Sequence, residues 1–325
     1  MTEAYTRPDT EAFLAFLNAL PGPRTHQMTP SEARAAMIAM RTVADVPVGD
    51  LAVIRDLAIP GPAGAIQARL FDARESRVPG PVMVFFHGGG WVLGDLDTHA
   101  PFCAEAARVL DIPVVAIDYR LAPEAPWPAA PDDCEAAARW IATAPAELGR
   151  VPTALVVAGD SAGGNLAIVT AMALRDTPAP VPIIAQCPIY PATDMTGDAY
   201  PSFAQFMEGR LLTRDAMNWF FAHYAADAAH FRASPLKGEC RALPPALVIT
   251  ASLDPIRDQG RAYAAALVEA GVPVVFREAV GTIHGFINFA KAIPSSKGDI
   301  AGILGALRML IAESEANRVM TQAAP

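Results

Sequence analysis

The chain has 325 residues, of which 52% are hydrophobic and 18% charged; this is ample material for a large buried core and excludes disorder over most of its length. Its formal net charge of −9 speaks against a nucleic-acid partner, which would need a basic face to offset phosphates. Four cysteines (Cys103, Cys134, Cys187 and Cys240) lie far apart, with no CxxC pair and no histidine at metal-ligand spacing, so they read as free thiols in a reducing, cytoplasmic compartment.

In chain order, the amino terminus "MTEAYTRPDTEAFLAFLNAL" begins acidic, without the basic region and long apolar stretch of a secretory signal. No stretch approaches the ~20 apolar residues of a membrane span. Residues 1–48 read as helical: Phe13, Leu14, Phe16, Leu17 and Leu20 form one stripe, and Pro30-Ser31 is a helix-start signal. "LAVIRDLAIP" and "AIQARLFDAR", split by Pro60-Gly61-Pro62, read as an antiparallel hairpin. From residue 81 short β-branched runs (82–86, 113–118, 154–159, 182–187, 246–250 and 273–279) alternate with alanine-rich helical runs. Unbroken apolar strands alternating with helices indicate an α/β fold with a mostly parallel sheet covered on both faces.

Residues 194–240 interrupt that rhythm. They carry Phe203, Phe206, Met207, Leu211, Trp219, Phe220, Phe221 and Tyr224 and no clear strand, as expected of a functional insertion. Together with the amino-terminal helices they would form a lid over the carboxyl edge of the sheet. The expected division is a cap at 1–48, a catalytic domain at 49–193 and 241–315, a cap insertion at 194–240 and a flexible tail at 316–325.

The chemistry concentrates at "GDSAGGN", residues 159–165. A strand ending at Gly159 and a helix starting near Gly163 squeeze Ser161 into a tight turn, so that its hydroxyl projects from the sheet between two glycines. That is the G-x-S-x-G nucleophile elbow. Taken alone, the pentapeptide also fits a plain strand-to-helix turn with a capping serine. The second signal is His87-Gly88-Gly89-Gly90-Trp91, directly after the strand 82–86. Consecutive glycines leave backbone N–H groups uncovered, and acyl transfer needs such donors for the oxyanion of its tetrahedral intermediate. Gly88 and Gly89 are the expected donors, with the N–H of Ala162 as the third. A phosphate loop would need a Lys-Ser/Thr ending or G-x-G-x-x-G spacing, and neither is present. His87 reads as an anchor of the loop rather than as a base.

The order Ser, acid, His in this arrangement places the base late. His26, His87 and His99 precede the serine, and His223 and His230 fall in the lid segment; His284 follows the last strand, with Gly285 giving the ring room. Asp254, after the strand 246–250 and before Pro255, is the expected acid, with Asp258 as its competitor in the first turn of the next helix. His284 would take the proton of Ser161 while Asp254 orients the imidazole, and the rate would fall as His284 protonates. The pocket is expected to be lined by Trp91, Phe206, Leu211 and Phe286.

With "HGGGW" 87–91, "DYRLAPE" 118–124, "GDSAGGN" 159–165, "DPIRD" 254–258 and "HGF" 284–286 in this order, the chain resembles the hormone-sensitive-lipase family of α/β-hydrolase esterases, in its bacterial GDSAG branch. The resemblance implies an eight-stranded, mostly parallel sheet flanked by helices, with a helical cap. It also implies hydrolysis of short- to medium-chain acyl esters without metal or cofactor. Asp118, Arg120 and Glu124 would buttress the oxyanion loop, and a homodimer would form through the edge strand near 273–279. An amide or lactone hydrolase with the same three residues is the alternative, since they do not fix the bond cleaved. A ligand-binding homologue without catalysis is a further reading, disfavoured by the presence of Ser161, Asp254 and His284.

Overall fold

A computed structural model describes residues 4–196 and 199–323. The strands are β1 (Val53–Gly61), β2 (Gly64–Asp72), β3 (Gly80–Phe86), β4 (Val114–Asp118), β5 (Pro152–Asp160), β6 (Ile183–Ile189), β7 (Ala246–Ala251) and β8 (Val274–Ala279). They form one sheet in the order β1-β2-β4-β3-β5-β6-β7-β8. β2 runs antiparallel to both β1 and β4, and the remaining neighbours are parallel. The fold is therefore the expected α/β one, with the expected hairpin at its edge.

The two-residue period of the strands divides the core between the faces of the sheet. Val82, Val84 and Phe86 of β3, with Leu155 and Val157 of β5, point to one face and pack under α4 (Ala129–Ala142), α5 (Ala162–Asp176) and α8 (Arg257–Glu269). Met83 and Phe85, with Ala154, Val156 and Ala158, point to the other, under α3 (Ala100–Leu110) and α9 (Ser296–Ala323). Each large side chain so buried contributes about 1.5–3 kcal/mol. The central strands thereby become a rigid base for the loops at their carboxyl ends.

Two helices precede the sheet, α1 (Pro8–Ala19) and α2 (Pro30–Ala44). The residue that caps α2 is Thr29, one place before the Pro-Ser signal: its side chain accepts from Glu32 N, and Glu32 reaches back to Thr29 N at 2.8 Å. The α1 stripe splits. Phe13 and Leu14 are buried, whereas Phe16 and Leu20 face outward. Between β6 and β7 lie α6 (Pro201–Phe206) and α7 (Arg214–Tyr224), the latter capped by Thr213. The carboxyl-terminal segment departs from expectation. Residues 316–323 continue α9 as helix instead of forming a flexible tail, supported by an Arg318–Glu315 ion pair at 2.6 Å one turn apart. Residues 324–325 lie outside the described residues. Among those described, no helix is long and apolar enough to cross a membrane.

Candidate active site

β5 ends at Asp160 and α5 begins at Ala162, leaving Ser161 between them at φ 56° and ψ −117°, a strained conformation for a residue with a side chain. Its backbone is held on both sides: Ser161 N donates to Ile189 O at 2.8 Å, and Ser161 O accepts from Asn165 N at 3.1 Å. Glycine is required beside it by crowding. A Cβ on Gly163 would lie 1.9 Å from Phe86 O, and one on Gly159 would lie 2.5 Å from the same atom.

His284 follows β8 and Asp254 follows β7, so neighbouring strands deliver them to the same end of the sheet as Ser161. The Ser161 hydroxyl lies 2.8 Å from His284 Nε2, and His284 Nδ1 lies 2.6 Å from Asp254 Oδ2. The other Asp254 oxygen accepts from Ile256 N at 2.9 Å. Asp254 is fully buried and acceptor-only when ionised, so Nδ1 carries the ring proton and Nε2 is free to accept from the serine. Asp258 is occupied elsewhere, accepting from Ser202 N and from Arg257 and Arg261.

His87 is buried and stacks on Tyr119 with ring centroids 4.4 Å apart. Burial, reinforced by the charge of His99, pushes its pKa down to about 4. It is therefore neutral at pH 7, with Nδ1–H donating to Gly88 O at 2.8 Å, while Tyr119 OH donates to His87 O. The glycines differ from expectation. The Gly88 N–H donates to Asp160 Oδ1 at 2.7 Å and is not available to a substrate. Gly89 (φ 116°) and Gly90 (φ 61°) turn the chain so that both line the cavity with Ala162, and among the described residues their three N–H groups have no acceptor.

The family positions serve as struts, less directly than expected. Glu124 pairs with Arg34 of α2 at 2.7 Å, and Arg34 in turn donates to Val92 O just past the glycines. Arg120 forms a bidentate pair with Asp133 of α4. Asp118 Oδ1 stands 3.9 Å from His87 Nε2, and its pKa rises to about 6, through burial first and then the nearby Asp95.

A cavity of about 690 Å³ opens over Ser161 and His284. Trp91 and Leu211 line it, Trp91 stacked on Tyr224 at 4.3 Å. Phe206 and Phe286 do not. Phe206 packs in a cluster with Phe13 and Leu14 beneath the Arg210 guanidinium, and Phe286 is fully buried against Tyr190. The walls come instead from Phe13, Leu14 and Leu17 of α1, Met37 and Met40 of α2, and Met217, Phe220 and Phe221 of α7. The α1 stripe and the aromatic pair in α7 were visible signals in the sequence; their direction was not.

A mostly parallel eight-stranded sheet that delivers a strained serine, a histidine and an aspartate to one edge beneath a helical cap is the architecture of the α/β hydrolases. The α/β-hydrolase fold family matches residues 83–288. The carboxylic ester hydrolase LipN of Mycobacterium tuberculosis is 43% identical over 265 residues, 78% of this chain and 70% of LipN. A thermostable esterase from Pseudomonas putida superposes with a TM-score of 0.89 at 31% identity, over 96% of this chain and 99% of its own. An esterase from Pyrobaculum calidifontis gives 0.86 at 35% identity, over 94% and 99%. The chain belongs to the α/β-hydrolase family, in its hormone-sensitive-lipase-like branch, and is a carboxylic ester hydrolase.

Proposed function

We propose that the enzyme hydrolyses short- to medium-chain acyl esters, with Ser161 as nucleophile, His284 as base, Asp254 as its orienting acid, and the N–H groups of Gly89, Gly90 and Ala162 as oxyanion donors. The observation that carries this reading is the unbroken chain from the Ser161 hydroxyl through both ring nitrogens of His284 to Asp254. As Ser161 Oγ attacks the carbonyl carbon, its proton passes to His284 Nε2, and the carbonyl π electrons move to the oxygen between the three N–H donors. Collapse of this intermediate expels the alcohol, which takes the proton from His284. Water then repeats the sequence on the acyl-enzyme, releasing the acid and restoring Ser161.

The apolar walls that α1, α2 and α7 contribute to a cavity of about 690 Å³ support an acyl chain of modest length. Four separate, buried thiols are consistent with a cytoplasmic setting, and the exposed edge at β8 supports a homodimer. The test is hydrolysis of p-nitrophenyl esters of increasing acyl length. The wild type should peak at short or medium chains, and Ser161→Ala should lose on the order of 10⁶-fold in kcat. A variant as active as the wild type would refute the assignment of Ser161.

A further inference from the structure

A second histidine lies behind the oxyanion loop, one the reaction above does not use. His99 is only 1% exposed, at the start of α3. Polar partners surround both of its ring nitrogens. The Thr98 hydroxyl accepts from Asp95 N at 2.9 Å and donates its one proton to Asp95 O at 2.8 Å. With that proton committed to Asp95 O, the contact of Thr98 Oγ1 with His99 Nδ1 at 2.9 Å is one that a proton on Nδ1 completes. On the other side, His99 Nε2 lies 3.1 Å from Asp160 Oδ1, and an ionised carboxylate only accepts. Burial works against the Asp160 charge, but the charge and hydrogen bond of His99 and the Gly88 N–H hold its pKa below the usual carboxylate range. Nε2 must donate as well. Asn288 presents its side-chain amide to the same nitrogen at 3.0 Å, and its otherwise unpartnered Oδ1 suits an acceptor there once the amide is turned. Both ring nitrogens thus face oxygens able to accept, an arrangement that an imidazolium satisfies.

The place of this ion pair gives it a consequence. Asp160 directly precedes Ser161, and the oxygen that receives His99 also receives the Gly88 N–H at 2.7 Å, while Tyr190 OH reaches the other oxygen at 3.3 Å. One carboxylate thus ties the glycine loop to the nucleophile elbow. Left uncompensated, it would also set a negative charge beside the spot where negative charge must grow, in surroundings that screen poorly.

We propose that His99 is a positioning residue of the ester-hydrolysing site: a buried imidazolium that pairs with Asp160, fixes the oxyanion loop to the elbow and cancels the carboxylate's charge beside the forming oxyanion. The inference rests on the oxyanion assignment given under the proposed function. It differs from a packing role because it depends on charge.

Two measurements test it. In the ¹⁵N-labelled full-length wild type near neutral pH, long-range proton–nitrogen NMR of the His99 ring should show protons on both nitrogens; a single ring proton would overturn the proposal. In kinetics, His99→Gln keeps an amide donor but no charge, and should lose about 10- to 100-fold in kcat with little change in KM, somewhat less than removal of an oxyanion donor costs. Asp160→Asn removes the stranded charge, and its amide oxygen still accepts from Gly88. Added to His99→Gln, it should recover most of the lost kcat, counted per active site by the p-nitrophenolate burst. A double variant slower than His99→Gln, with the losses adding, would refute charge cancellation. The NMR result depends on neither a variant fold nor a substrate. A wild type inert to every ester would sink the hydrolase reading while the ring protons were still judged separately.

Discussion

Asp45 follows the last turn of α2 with its carboxyl turned into the protein. One oxygen accepts from Val46 N at 2.8 Å. Burial drives its pKa up to about 6, against the pull of the Val46 N–H, the His99 charge, the Ala290 N–H and the Arg41 charge. The folded protein therefore holds this proton more tightly than the unfolded chain, whose aspartates titrate near 3.9. Between about pH 4 and 6 the native state binds more protons than the unfolded state, so stability falls as pH rises through that window and stays lower above it. Asp45→Asn keeps the acceptor for Val46 N without the buried charge. It should stabilise the fold at pH 7 by roughly 1–3 kcal/mol and leave stability near pH 4 unchanged. Urea unfolding at the two pH values decides it; an equal gain at both, or none at pH 7, would show that the buried charge is not the cause.

Among elements, α2 both walls the cavity and locks the cap to the catalytic loops. Met37 and Met40 face the cavity, while Arg34 reaches across to Val92 O at 2.8 Å, Ala122 O at 2.9 Å and both Glu124 oxygens, whose pKa this guanidinium holds down at about 2. Arg34→Met keeps the stem and removes every donor. Hydrogen exchange in α2 should quicken, and KM for the preferred ester should rise about threefold to tenfold, up to about 1.4 kcal/mol of binding, with kcat less affected. Unchanged exchange and KM would mean that α2 is held by packing alone. The strands, the hairpin and the elbow were legible in the sequence because each follows a local rule: apolar runs of strand length, Pro-Gly-Pro punctuation, and glycines flanking a serine. What was not legible depended on direction in space. Three glycines in a row give no sign of which N–H faces the substrate. That is decided by Asp160, distant in sequence, taking the N–H of Gly88. Phe206 and Phe286 carry the same kind of apolar surface as Phe220 and Leu211, and it is packing against α1 and against Tyr190, just past β6, that sends them inward. His99 gave no signal at all, because its meaning lies in its partners.

For the whole molecule, β1 and β8 are the sheet's two edge strands among the described residues. Among the described residues β8 pairs with β7 alone, and it carries Val275 (40% exposed) and Phe276 (42% exposed), with Val268 and Val280 exposed on the adjoining segments. Folded proteins usually blunt such an edge with charge, proline or a covering element, because free N–H and C=O groups beside apolar side chains invite another strand. Across a two-fold axis, an antiparallel β8–β8 pair would satisfy the edge of both copies at once and bury those side chains. The net charge of −9 opposes association, but at physiological salt charges are screened beyond about 8 Å, so contacts at short range decide. Sedimentation should find a dimer at micromolar concentration. Phe276→Lys would put a charge on the apolar edge and should yield monomers whose ester hydrolysis per chain is unaltered, because no residue of β8 lines the cavity. A monomeric wild type, or a variant that stays dimeric, would remove β8 as the contact.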